Sequence, residues 1–324
     1  MDQALTARIV DTAELLRRIR ADHPWQHTYL QHLAALSFSV GGHAYDNARL
    51  HSMMERIRNS FGFFSAFRSS AFSLAVQLLT GAEDPDRALG RLIAIEPMLR
   101  EEGIRSYSFA PLLASVLVRT GLRADLPALL VRTKLCYEEL HRAHPFLTGA
   151  DDYPLAAMLA VSQGNLPSRM ADVESLYSQI HQQGFSRGNG LQMLALTLSL
   201  GEGTPAQKAA RVLSLNESLR TGGIRLWAQY YGALGLLALL PDPNGTLADE
   251  ALEIVADLRT RKYYRSLDKG MLLLFATLLL SEEAVHGEGS TIAGVLLEVL
   301  IEAQTAAMVA ASIAASSAAS SAAT

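Results

Sequence analysis

The chain has 324 residues and a formal net charge of −4, so it offers no overall positive field for nucleic acid. Hydrophobic residues make up 49% and charged residues 19%, which excludes a disordered chain. A single cysteine, Cys136, excludes an internal disulfide and a zinc–thiolate site within one chain.

The first segment, Gln3 to Arg20, places Leu5, Ile9, Leu15, Leu16 and Ile19 at helical spacing. It reads as a leading cap helix. Asp2 and Glu14, with no apolar core, set it apart from a secretory leader. An echo then recurs every 39 to 42 residues. It opens at Gly62-Phe63-Phe64-Ser65, Gly103-Ile104-Arg105-Ser106, Pro145-Phe146-Leu147-Thr148, Gly184-Phe185-Ser186-Arg187, Gly223-Ile224-Arg225-Leu226 and Tyr263-Tyr264-Arg265-Ser266. A period of this length predicts stacked supersecondary units. Seven helical hairpins follow, at about 23–61, 62–102, 103–143, 144–183, 184–222, 223–262 and 263–312.

The first helix of each unit is apolar almost all round, as in Leu155 to Val161 or Leu234 to Leu240. Such a helix is buried on all sides. The second is amphipathic: Met170, Val173, Leu176, Tyr177 and Ile180 mark one face, and Leu247, Ala251, Ile254, Val255 and Leu258 another. Asp84-Pro85 and Thr204-Pro205 read as helix starts. Gly103, Gly184 and Gly222 read as left-handed helix ends, and Pro97 as a kink. No alternating strand is found. The predicted class is all-α, an α/α superhelix or toroid of about seven stacked antiparallel hairpins. Residues 1–22 form the cap, 23–312 the repeat domain and 313–324 an Ala/Ser-rich flexible tail.

The strongest apolar run, Met271 to Leu280, is half a membrane span, and Glu298, Glu302 and Gln304 interrupt the longer run from Thr291 to Ala315. The expectation is a protein with neither a membrane nor a nucleic-acid partner. Basic clusters at Arg17, Arg18 and Arg20, and at Arg259, Arg261 and Lys262, read as solvated faces or helix ends. Cys136 lies in a helical pattern and reads as a small buried hydrophobe, as suits a reducing cytoplasm.

Three stretches resemble a known family. They are Phe63-Phe64-Ser65 with Phe67-Arg68, His144-Pro145-Phe146-Leu147-Thr148 with Asp151-Asp152, and Gly184-Phe185 with Gly188-Asn189 and Leu191-Gln192. Their order and content are similar to the bacterial domain-of-unknown-function family number 4003, over about residues 5 to 310. The resemblance implies a bacterial, cytosolic, all-helical protein. It brings no assigned activity and no site residues.

Two constellations carry candidate chemistry. Asp151 and Asp152, with His141 and His144, stand before an apolar helix, where acids can ligate Mg²⁺ or work as an acid–base pair. The plainer reading is helix capping, since Thr148 and Asp151 have capping-box spacing. The second constellation needs the repeat. Polar groups recur at the starts of the inner helices: His27 and His32, Arg68, Arg105 and Tyr107, Asp151 and Asp152, Arg187, Asn189 and Gln192, Arg225, Gln229 and Tyr230, then Arg265, Asp268 and Lys269. On a curved stack they converge, and arginine clamps with helix N-termini suit an anionic ligand. The plainer reading is that each group caps its own helix. The run Gly184 to Gly190 lacks phosphate-loop spacing and reads as a tight helix–helix connection. His23, His27 and His32 share no helical face, which argues against a metal there.

The expectation is a non-enzymatic helical-repeat protein. It binds a protein, peptide or small polar ligand on its concave inner face, through Arg68, Asp151, Asp152, Arg187, Asn189, Gln192, Arg225, Gln229 and Tyr230. The alternative is a toroid enzyme with Asp151 or Asp152 as acid, base or metal ligand and Arg68, Arg187 and Arg225 as anion clamps. These residues name no cofactor.

Overall fold

The computed structural model describes residues 3–81, 84–104, 109–120, 125–143, 145, 148–161 and 165–286. Among them the chain forms fifteen α-helices, two short 3-10 turns and no strand, so the fold is all-helical. The described residues divide into two compact units: one draws on 3–9, 139–148 and 165–286, the other on 10–138 and 149–161. Two helices contribute to both, α1 (Gln3–Asp22) and α8 (Leu126–Ala143).

In the first unit the chain makes α10 (Leu166–Gln182), α11 (Asn189–Ser199), α12 (Pro205–Thr221), α13 (Tyr231–Leu239), α14 (Leu247–Thr260) and α15 (Lys269–His286). Helix α13 is apolar all round and buried from Tyr231 to Ala238, as its composition requires. Helices α10 and α14 are amphipathic and bury one face each: Val173, Leu176, Tyr177 and Ile180, and Leu247, Ala251, Ile254, Val255 and Leu258. Helix α11 packs on α13 and α13 on α15, while α10, α12 and α14 form a second row. Small residues set the closest approach. A methyl group at Gly235 would stand only 3.1 Å from Leu194 and Thr197 of α11.

Among chain neighbours in this compact unit, the contacts run across the boundaries drawn between predicted hairpins. Helix α10 packs on α11, α12 on α13 and α14 on α15, so each tight pair joins one unit's second helix to the next unit's first. The reason lies in the connections. They carry buried plugs, Phe185, Ile224 and Tyr264. Two of them turn through glycines at positive φ, Gly184 at 94° and Gly223 at 85°. Gly223, rather than Gly222, supplies the left-handed helix end. Gly222 has φ −73° and is needed for space, because a methyl group there would meet Leu252 at 2.4 Å. At the other edge of this unit, Arg8 of α1 donates to the Leu279 carbonyl at 3.2 Å.

In the second unit, α2 (Thr28–Val40), α5 (Ala71–Gly81), α7 (Ala110–Thr120) and α9 (Tyr153–Val161) pack in series. Helix α3 (Asn47–Ser60) packs on α5, as does the short α4 (Ala66–Ser69), and α6 (Pro85–Glu101) packs on α7. A buried hydrogen bond from Ser115 Oγ to Gln77 Oε1, 2.6 Å, joins α5 and α7. The expected starts hold. Asp84 accepts from the amides of Asp86 and Arg87, and Thr204 forms a capping box with Gln207. Helix α6 runs on through Pro97. Both predicted basic clusters are engaged locally: Arg17 pairs with Glu14, Arg20 donates to Gln31 and Arg261 to Asp257. Cys136 is fully buried. No helix among the described residues is long and apolar enough to cross a membrane. The tail from 287 onward, with its predicted Ala/Ser-rich end, lies outside the described residues.

Candidate functional site

The predicted polar set falls in both compact units, and each described member has a definite local place. In the second unit Arg68 is half-buried. Its Nη1 donates to the Arg58 carbonyl, and its guanidinium lies 5.9 Å from the centre of the Phe63 ring. It closes the end of α3. His27 caps α2 by accepting from the Tyr29 amide at 3.3 Å, and burial holds its pKa below the usual imidazole value. His32 is buried, with Nδ1 2.8 Å from the Thr28 carbonyl. Asp152 is 3% exposed and accepts from the Gly149 amide at 2.9 Å. Asp152 thus supplies the carboxylate half of a cap, reaching back to Gly149, which has no side chain to return the bond; the pair lies one residue beyond the spacing read from Thr148 and Asp151. The 3-10 turn at Ala150–Asp152 before α9 accounts for the offset. The Asp151 side chain, His144, Arg105 and Tyr107 lie outside the described residues.

In the first unit Tyr230 is 2% exposed and donates its hydroxyl to Asp268. The other oxygen of Asp268 caps α15, accepting from the amides of Gly270 at 2.9 Å and Met271 at 3.1 Å. Lys269 reaches back to the Gly223 carbonyl at 2.6 Å. Gln192 is fully buried and donates to Thr148 Oγ1 at 3.3 Å, while its Oε1 has no hydrogen-bond partner among the described residues. Arg187 Nε donates to His181 Nε2 at 2.9 Å. That nitrogen must then carry a lone pair, so the imidazole proton sits on Nδ1 and is donated to the Phe185 carbonyl at 2.9 Å. Asn189, Gln229 and Arg265 are exposed at or near the starts of α11, the second 3-10 turn and α15.

Arg225 has a different setting. It lines an open cleft of about 360 Å³, with Gln183, Gly184 and Phe185 from the α10–α11 connection and Asn216 and Arg220 from the last turns of α12. Ile224, Leu226 and Tyr231 complete it. The Phe185 and Tyr231 rings meet at 4.8 Å and form an aromatic wall. Arg220 makes two hydrogen bonds to Glu217, at 2.9 and 2.8 Å. That pairing holds the Glu217 carboxyl below its usual range and raises Arg220. The cleft thus offers the Arg225 guanidinium, two amide side chains and an aromatic wall, with Arg220 already held by Glu217. These groups can bind a small anion that carries an apolar part. Arg225 was legible as a candidate, whereas Asn216 and Arg220 were not. Their signal was the four-residue spacing that puts both on one face of α12, beside the glycine turn.

Residues 17–314 match the family described as protein of unknown function, DUF4003. No curated protein matches the chain. No solved structure matches it either. The chain belongs to the DUF4003 family of proteins of unknown function.

Proposed function

We propose that this is a non-enzymatic helical-repeat protein, an α/α superhelix of about seven stacked hairpins, that binds a small anionic ligand with an apolar moiety at the starts of its inner helices. The two helix rows within the first unit support the stacked arrangement. The cleft around Arg225 is the observation that carries the binding reading. It sets the Arg225 guanidinium beside Phe185 and Tyr231, so charge is met by Arg225 and a ring by a wall. Asp152, the describable half of the acid pair, spends its carboxylate on its own turn, so no reaction is proposed for it.

The test is a calorimetric titration with phenyl phosphate, which combines ring and anion, with inorganic phosphate and phenol as its separate halves. Phenyl phosphate should bind more tightly than either half. Arg225→Ala should weaken it about tenfold, the worth of one charged hydrogen bond. Equal binding by the variant would sink the assignment of the cleft.

A further inference from the structure

The α1–α2 and α3–α4 connections of the second unit present three aromatic rings to solvent. Trp25 is 96% exposed, Phe64 94% and Phe63 79%. The two connections share one end of α5. His23, two residues before Trp25, packs edge-on against Phe72 in the first turn of α5 at 5.2 Å. Phe63 and Phe64 immediately precede α4, which leads directly into α5. The rings of Phe63 and Phe64 touch each other at 5.1 Å. Rings so exposed are largely uncovered by their own chain. A fluid apolar layer accepts projecting rings without a shaped counterpart.

The charge around these loops has one sign to spare. Between Arg20 and Ser73 there are five arginines, no lysine and three acids, in a chain whose net charge is −4. All three acids are engaged at home, and of the arginines Arg56 is paired with Asp86. Asp22 accepts from the Tyr45 hydroxyl at 2.8 Å, Asp46 caps α3, and Glu55 pairs with His51 at 3.2 Å. Arg58 and Arg68 stand at the same end as the rings, linked through the Arg58 carbonyl. Aromatic tips flanked by guanidiniums are the groups that settle at a lipid headgroup layer, the rings at the acyl boundary and the charges on phosphate.

We propose that Trp25, Phe63 and Phe64, with Arg58 and Arg68, form a peripheral docking surface for an anionic lipid bilayer. The expectation of no membrane partner rested on the lack of a spanning run. It does not bear on a contact of this kind. The contact is shallow and reversible, and it weakens as salt screens the charge.

The experiment uses the full chain with Trp227→Phe, which leaves Trp25 as the sole tryptophan. Vesicles of phosphatidylcholine with a minor fraction of phosphatidylserine should sediment the protein and shift Trp25 emission to the blue. Phosphatidylcholine alone should bind it several-fold less. The double variant Phe63→Ser, Phe64→Ser should keep its circular dichroism and melting temperature, because both rings are exposed, and lose about tenfold or more in vesicle affinity. No sedimentation on anionic vesicles at low salt would overturn the proposal. So would equal binding to both vesicle types. A blue shift with polyglutamate and none with vesicles would replace the bilayer by an acidic peptide and overturn it equally.

Discussion

Tyr230 and Arg225 sit five residues apart in one connection and behave in opposite ways. Around Tyr230 everything is closed. Its ring is buried, its hydroxyl is given to Asp268, and a methyl group at Gly270 would lie 2.2 Å from it. Around Arg225 the surface opens into a cleft with charge to offer. A single loop thus holds the stack together at one end and leaves room at the other. Polar residues that the sequence pattern reads as equivalent therefore need not share a task.

Four measurements sharpen or break that contrast. The largest effect belongs to the closed side. Gly190→Ala would force a methyl group to 2.0 Å from the Ala228 carbonyl oxygen, a backbone atom that cannot swing away. Denaturant unfolding should show a loss of about 3 kcal/mol. Tyr230→Phe comes next. It removes a buried donor from Asp268 and should cost roughly 1 to 3 kcal/mol by the same assay.

The third is a pH dependence with two limbs. Burial pushes the Tyr153 phenol up to about 12 and raises Tyr45 and Tyr264 as well. Unfolded tyrosines ionise first, so the stabilisation present below about pH 10 should be lost as pH climbs toward 12. On the acid side burial lowers His23 and His27. The unfolded chain then takes up protons first, and stability should fall as pH drops below about 6.5. A flat profile in urea titrations across both windows would contradict the assigned burial. The smallest effect is on the open side. Arg225→Ala should change stability by no more than about 0.5 kcal/mol, with ligand affinity as its only large readout. A stability loss as large as that of Tyr230→Phe would erase the distinction.

Much of the fold could be read from local pattern. The buried faces of α10 and α14 follow from 3.6-residue spacing, and Asp84 and Thr204 announce their helices because capping depends on residues two or three positions away. What depends on distant partners could not be read. The tighter packing of α10 on α11, compared with the drawn hairpins, follows from Phe185 and its turn. Periodicity gives the repeat length without saying where a unit begins. Tyr230 finds Asp268 across 38 residues, and no spacing rule reaches that far. Arg68 resembled a clamp because it stands at the start of a predicted inner helix. Only the placement of the Arg58 carbonyl shows that it closes a helix end. The cleft was half legible: Arg225 stood out, but Asn216 and Arg220 acquire meaning only once the neighbouring connection is brought alongside.

The hydrogen bond from Arg8 to the Leu279 carbonyl spans 271 residues of chain. During synthesis the amino-terminal turn leaves the ribosome long before its acceptor exists. The middle of the chain can form local helix pairs as it emerges, but the compact unit that joins residues 3–9 to 165–286 must wait until α15 has been made. A ribosome stalled short of residue 279 would therefore hold a nascent chain whose first helix has no partner on α15.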